Sequence, residues 1–131
     1  MRDRIFIGNN VFDTLVAITE QEHRQGLMYK KWPPPNMCFP YKDSQVRKFW
    51  MFNTVSPLDI IFCNKNKIIS IFGGEPLSTK LLGPEDPSNL IIEFPQGTVA
   101  KYGINIGDFA ELKISIKTLA KMIDNNIQIF S

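Results

Sequence analysis

The sequence predicts a mainly β protein: a compact antiparallel sandwich or barrel with two or three short peripheral helices. Three observations carry that expectation. Apolar runs of strand length recur from Val11 onward, several are joined by short polar turns, and the helical signals are brief and peripheral. At 131 residues, with 44% hydrophobic and 21% charged residues, the chain has enough apolar material for a core and too much charge to lie in lipid. One mainly β domain is expected over residues 1–115, with a helical or extended tail over 116–131 packed on it.

The chain opens on Met-Arg-Asp-Arg and a short apolar patch ending at Gly8. No apolar stretch suits a signal peptide or a membrane span, so the expected location is the cytoplasm, without membrane association. The β-branched run from Val11 to Thr19 reads as a strand. Thr19 and Glu22 then stand at capping-box spacing, which starts a helix, and Gly26 stops it within two turns. Three consecutive prolines, Pro33 to Pro35, make the next stretch an extended loop.

Four strand signals follow: MCFPY, RKFWMFN, PLDIIFCN and KIISIF, read together as an antiparallel meander. Asn64-Lys65-Asn66 between the last two marks a hairpin, because Asn tolerates the positive φ of such turns. Gly73-Gly74 reads as a turn opening a long surface loop through Asn89. NLIIEF is another strand, GTVAKYGI a turn or short helix, and GDFAELKISI a closing strand. In the tail, Leu119, Met122 and Ile123 recur at helical spacing and predict a terminal helix across the sheet.

Cys38 and Cys63 each lie within an apolar run, which suggests buried thiols acting as small hydrophobes; a disulfide between them is left open. His23 is the only histidine and has no companion at metal-ligand spacing. It reads as a solvated helix residue, and neither a metal nor another cofactor is expected. No Gly-x-Ser-x-Gly elbow and no glycine-rich phosphate loop occurs.

Several blocks carry a resemblance. HRQGLMYK, NMCFPY, FWMFNTVSPLDIIFCNKNKIISI, EPLS, IIEFPQG and GINIGDFAEL, in that order, resemble the family called domain of unknown function 192, over residues 11–114. The resemblance implies a compact, mainly β domain with short helices, and its biochemical role is not established. Asn36 departs from the glycine usual before the Met-x-Phe strand, and the tail beyond residue 115 is additional. The secretion signal of many bacterial members is missing, which agrees with the cytoplasmic expectation.

Two acidic residues sit oddly. Strand alternation places Asp59 on the face of Ile61 and Cys63, with Leu58, Ile60 and Phe62 opposite. Glu93 shares a face with Ile91, with Leu90, Ile92 and Phe94 opposite. Both faces are apolar in each strand, so both carboxylates are expected to be partly buried, and a buried carboxylate must find a cation or donors, or become neutral. Arg24 is the matching cation in the family blocks.

Two readings of these residues stand open. In one, Arg24, Asp59 and Glu93 converge with Trp50 and Asn53 on a cleft, a polar anchor in an apolar pocket, and the Asp59–Glu93 pair serves as acid and base. In the other, they form a buried ion-pair network that holds strand register.

The functional expectation is a non-enzymatic module that binds a small ligand or a protein. One alternative is a hydrolase using Asp59 and Glu93 with Arg24 as anchor. The other is a single-strand nucleic-acid binder using Tyr29, Lys30, Lys31 and Trp32 or the RKFW cluster at 47–50. A formal charge of only +2 argues against a nucleic-acid partner.

Overall fold

The computed structural model describes residues 1–115, 117–119 and 121–122. Strands β1 (Arg2–Ile7) and β2 (Asn10–Val16) form an antiparallel hairpin turned at Gly8, whose φ of +56° suits glycine. Helix α1 (Glu20–Gln25) is capped as the sequence predicts. The Glu22 amide donates to Thr19 Oγ1 at 3.0 Å, and the Thr19 amide donates to Glu22 Oε1 at 2.9 Å. Gly26, at φ +50°, ends it.

The remaining elements are β3 (Met37–Gln45), β4 (Leu58–Asn64), β5 (Lys67–Gly74), β6 (Ser88–Pro95), α2 (Thr98–Tyr102) and β7 (Ala110–Leu112). Among the described residues they complete a seven-stranded sheet in the order β5-β4-β6-β3-β2-β1-β7. All neighbours are antiparallel except β2 and β3. The sheet curls until its edge strands touch at one end. Lys67 bridges Phe109, and the Gly107 amide donates to Ile68 O at 2.8 Å. The result is a half-barrel with short helices at its periphery.

The curl divides the core in two. On the inner face all seven strands contribute, from Ile5 and Ile7 of β1 to Ala110 and Leu112 of β7, around Ile61, Cys63, Ile92 and Phe94. On the outer face Met37, Phe39, Leu58, Ile60, Phe62 and Ile91 of the three central strands are covered by Ala17, Leu27 and Met51 from connecting segments. Each such fully buried side chain stabilises the fold by roughly 1.5–3 kcal/mol. A strand facing apolar neighbours on both sides belongs in the middle of the sheet, and β4 and β6 lie there.

Five expectations are corrected. The run 47–53 is not a strand. Phe49 alone forms a bridge, to Leu82, and the other backbone groups bond to loops: the Met51 amide to Ser78 O at 3.0 Å, and Asn53 O from the Tyr29 amide at 2.9 Å. Its strand-like alternation arises because the segment crosses the outer face with Met51 buried and Trp50 and Phe52 exposed.

The meander is broken as well, since β6 inserts between β3 and β4, and of the runs read as a meander only β4 and β5 form a direct hairpin. Lys65 and Asn66 both take positive φ in its turn, as expected. Gly73 and Gly74 belong to β5, where Gly74 makes room for the crossing segment: a Cβ there would lie 2.6 Å from Met51 Sδ. Finally, β1 is a full strand, although the sequence reading saw only an apolar patch, and the closing strand β7 is confined to Ala110–Leu112.

In the tail, residues 117–119 and 121–122 are helical, the Leu119 amide donates to Ser115 O at 3.0 Å, and Leu119 joins the inner core. The remainder of the expected terminal helix, from Ile123, lies outside the described residues.

Candidate functional site

A cleft of about 350 Å³ opens on the outer face between α1 with the turn after it, the crossing segment 48–54, and the sheet. Its walls are largely apolar: Leu27, Met28, Phe39, Phe49, Trp50 and Phe52. The rings of Phe39 and Phe49 meet edge to face with centroids 5.1 Å apart, and those of Trp50 and Phe52 lie 5.0 Å apart. Gly26 brings the turn close to the floor, because a Cβ there would lie 3.3 Å from the Phe39 ring and 3.8 Å from Glu93 Oε1.

Glu93 also lines the cleft. It projects from β6 opposite Ile60 of β4 and Met37 of β3, and is 5% exposed. Among the described residues its carboxyl group has neither a hydrogen-bond donor nor an ion-pair partner. Burial alone pushes its pKa up to about 8, so at neutral pH the group is mostly the uncharged acid.

Arg24, the cationic member of the expected set, also lines this cleft, with its side chain exposed and without an ion pair among the described residues. Lys48 is committed elsewhere, donating to Gly83 O at 2.7 Å and Pro84 O at 3.1 Å and pairing with Glu85 at 2.7 Å.

The structure therefore brings Arg24, Trp50 and Glu93 to one cleft and leaves Asp59 and Asn53 out of it. Asp59 pairs across the ladder with Phe94, and Glu93 with Ile60, so the two carboxyl groups point to opposite faces of the sheet. Asp59, 9% exposed, accepts the Gly97 amide at 3.1 Å and the Val99 amide at 2.9 Å through Oδ2. It holds the N-terminal turn of α2 in place. The expected acid–base pair and the expected three-residue ion-pair network are both separated by the sheet. Asn53, at φ +54°, shapes the loop between Phe52 and Thr54, which do line the cleft.

His23 is not a solvated helix residue. Its Nε2 lies 3.0 Å from Ala17 O, its ring packs on Phe39 and Tyr41, and burial lowers its pKa. Among the described residues no cluster of His, Cys, Asp or Glu suits a metal ion. Cys38 and Cys63 are free and buried. Burial raises the Cys38 thiol to about 12 and pushes Cys63 up as well, and the Thr14 hydroxyl lies 3.3 Å from Cys38 Sγ.

In the RKFW cluster, Arg47 stacks 3.7 Å over the Tyr41 ring and pairs with Asp43 at 2.8 Å. With Lys48 also engaged, that cluster is bound to the protein itself rather than displayed as a free cationic surface. Leu27, Phe39 and Phe52 are not singled out by the sequence, and Phe49 only as a member of the RKFW cluster. Their signal is ordinary core hydrophobicity, and only the fold shows that they surround an opening.

The family model described as DUF192, Uncharacterized ACR, matches residues 4–112. The chain belongs to this family. The DUF192 chain is similar to a crystal structure from Sinorhizobium meliloti provisionally described as a transcription regulator, with 26% identity, a TM-score of 0.79, and coverage of 86% of this chain and 94% of the other. It is also similar to a protein of unknown function from Novosphingobium aromaticivorans, with 29% identity, a TM-score of 0.78 and 84% of each chain covered. No curated protein matches it. Among the described residues no helix is long and apolar enough to cross a membrane.

Proposed function

We propose that this DUF192 protein is a non-enzymatic module that binds a small molecule in the outer-face cleft. The observation that supports the reading is Glu93: a carboxyl group buried beside an opening, with no donor from the described protein residues. A ligand that hydrogen-bonds this carboxyl group would give it the partner that the described residues do not. The apolar walls supply contact area, and Arg24 supplies a charge for orientation.

Backbone conformation adds to the case. Tyr29, Asn53 and Leu77 hold left-handed conformations in three segments joined by hydrogen bonds at this side of the sheet, and such conformations persist where surrounding structure enforces them. A hydrolase of the paired-acid type is disfavoured, because the second carboxylate lies on the other face.

Native mass spectrometry for a co-purifying molecule, followed by thermal shift across a broad metabolite panel, tests the reading. A ligand present at about 100 times its Kd stabilises by about 2.7 kcal/mol, a shift of several degrees. A panel in which no compound raises the melting temperature, from a protein that carries nothing, would overturn it.

A further inference from the structure

The chemistry of the cleft narrows the class of ligand, and this step rests on the binding reading above. We propose that Glu93 acts as an uncharged carboxylic acid that pairs, donor and acceptor together, with the neutral cis-amide edge of a planar ligand, whose anionic end reaches Arg24.

Four observations carry it. Glu93 is enclosed by Leu27, Phe39 and the strands around it, and the described protein residues offer it no donor. An ionised carboxylate in such surroundings would be strongly disfavoured without a partner, whereas a protonated one presents an O–H donor beside a C=O acceptor. That pattern complements the N–H and C=O of a lactam or primary amide. The aromatic walls formed by Phe39, Phe49, Trp50 and Phe52 favour a flat body over a branched aliphatic one.

Charge at the opening selects in the same direction. Arg24 and Lys48 both line the cleft, so a cationic ligand meets like charge on the way in. Lys48 already serves three oxygen acceptors, which leaves Arg24 as the cation available to an anionic group. The titratable groups around Glu93 are His23 and Arg24 from α1, Tyr41 from β3 and Lys48 from the crossing segment. From β4 only apolar residues face it, since Asp59 lies on the opposite side. Burial lowers the pKa of His23 and raises that of Tyr41, while Glu93, pushed up to about 8, is the group in this set placed to change charge just above neutrality.

The test uses three planar probes: 6-hydroxynicotinate in its pyridone form, which has a lactam edge and a carboxylate; nicotinate, which lacks the lactam; and benzamidine, a cation. Binding to the full chain is followed by amide NMR shifts at Gly26, Leu27 and Phe49. The pyridone is expected to perturb these residues and to bind about tenfold more tightly than nicotinate. Its affinity should fall as pH rises through about 8, the range in which Glu93 ionises.

Glu93→Gln, which keeps a donor and an acceptor, should retain pyridone binding within about threefold, whereas Glu93→Ala should lose about tenfold or more. Arg24→Gln should weaken the pyridone several-fold. Benzamidine binding more tightly than the pyridone, or loss of pyridone binding in a folded Glu93→Gln, would overturn the proposal. In those cases the cleft would still be a ligand site. If none of the probes moves the cleft amides, the ligand class fails, and if the metabolite panel is also silent the binding reading fails with it.

Discussion

Asp59 and Glu93 lie on neighbouring strands, one residue out of register, and face opposite sides of the sheet: Asp59 pairs with Phe94, and Ile60 with Glu93. One carboxyl group is satisfied by two backbone amides, and the other has no donor among the described residues. The two residues should therefore respond to substitution in different ways.

Asp59→Ala removes the acceptor for the Gly97 and Val99 amides and should lower the unfolding free energy by about 1–3 kcal/mol in urea denaturation. Probe binding in the cleft should be unchanged in the folded variant. Loss of binding without loss of stability would place Asp59 in the site after all.

Glu93 should set a pH dependence of opposite sign to that of an ion-paired carboxylate. Its folded pKa, about 8, lies above the ordinary 4.5, so the folded state holds the proton more tightly than the unfolded chain. Its contribution to stability is greatest below pH 4.5 and declines as pH rises to about 8, after which it levels off. Glu93→Gln does not titrate, so its stability relative to the wild type should rise across that window, by a total on the order of 5 kcal/mol. Parallel denaturation curves at several pH values check this, and a constant difference would contradict it.

Gly26→Ala should destabilise by about 1–3 kcal/mol, through strain at φ +50° and crowding of the Phe39 ring. It also narrows the cleft beside Glu93, so ligand affinity should fall together with the denaturation midpoint. A variant of unchanged stability would show that the turn relaxes freely.

Cys38 and Cys63 should resist thiol reagents in the native protein, because both are buried and their thiolates are disfavoured. Maleimide labelling followed by mass should detect neither at neutral pH without denaturant, and both after unfolding. Fast labelling of the native state would mean that the sheet opens locally.

Much of the fold was legible in the sequence. The Thr19–Glu22 capping box, the Lys65-Asn66 turn and the two-faced alternation of β4 and β6 depend on local chemistry, and the structure bears each of them out. Periodicity fixes the phase within one strand and is silent on how two strands align. Strand alternation therefore gives the faces of Asp59 and Glu93 correctly, yet does not reveal that the sheet stands between the two residues. The run 47–53 misled for a related reason. Its alternation records a buried and an exposed side, while strand identity depends on a ladder partner that loops had replaced. The alternating Ile5 and Ile7 before Gly8 carried a readable strand signal for β1.

The contact between β1 and β7 also bears on how the chain reaches this state. Ile5 and Ile7 can pair with β2 at once, but their other neighbours, Leu112 and Ala110, come much later in the sequence. During synthesis the outer edge of β1 stays uncovered until residues 110–112 have been made. Pairings so distant along the chain slow folding, and an open edge held that long is where a nascent copy would meet a second one. Strand β7 is thus the element that ends this exposure.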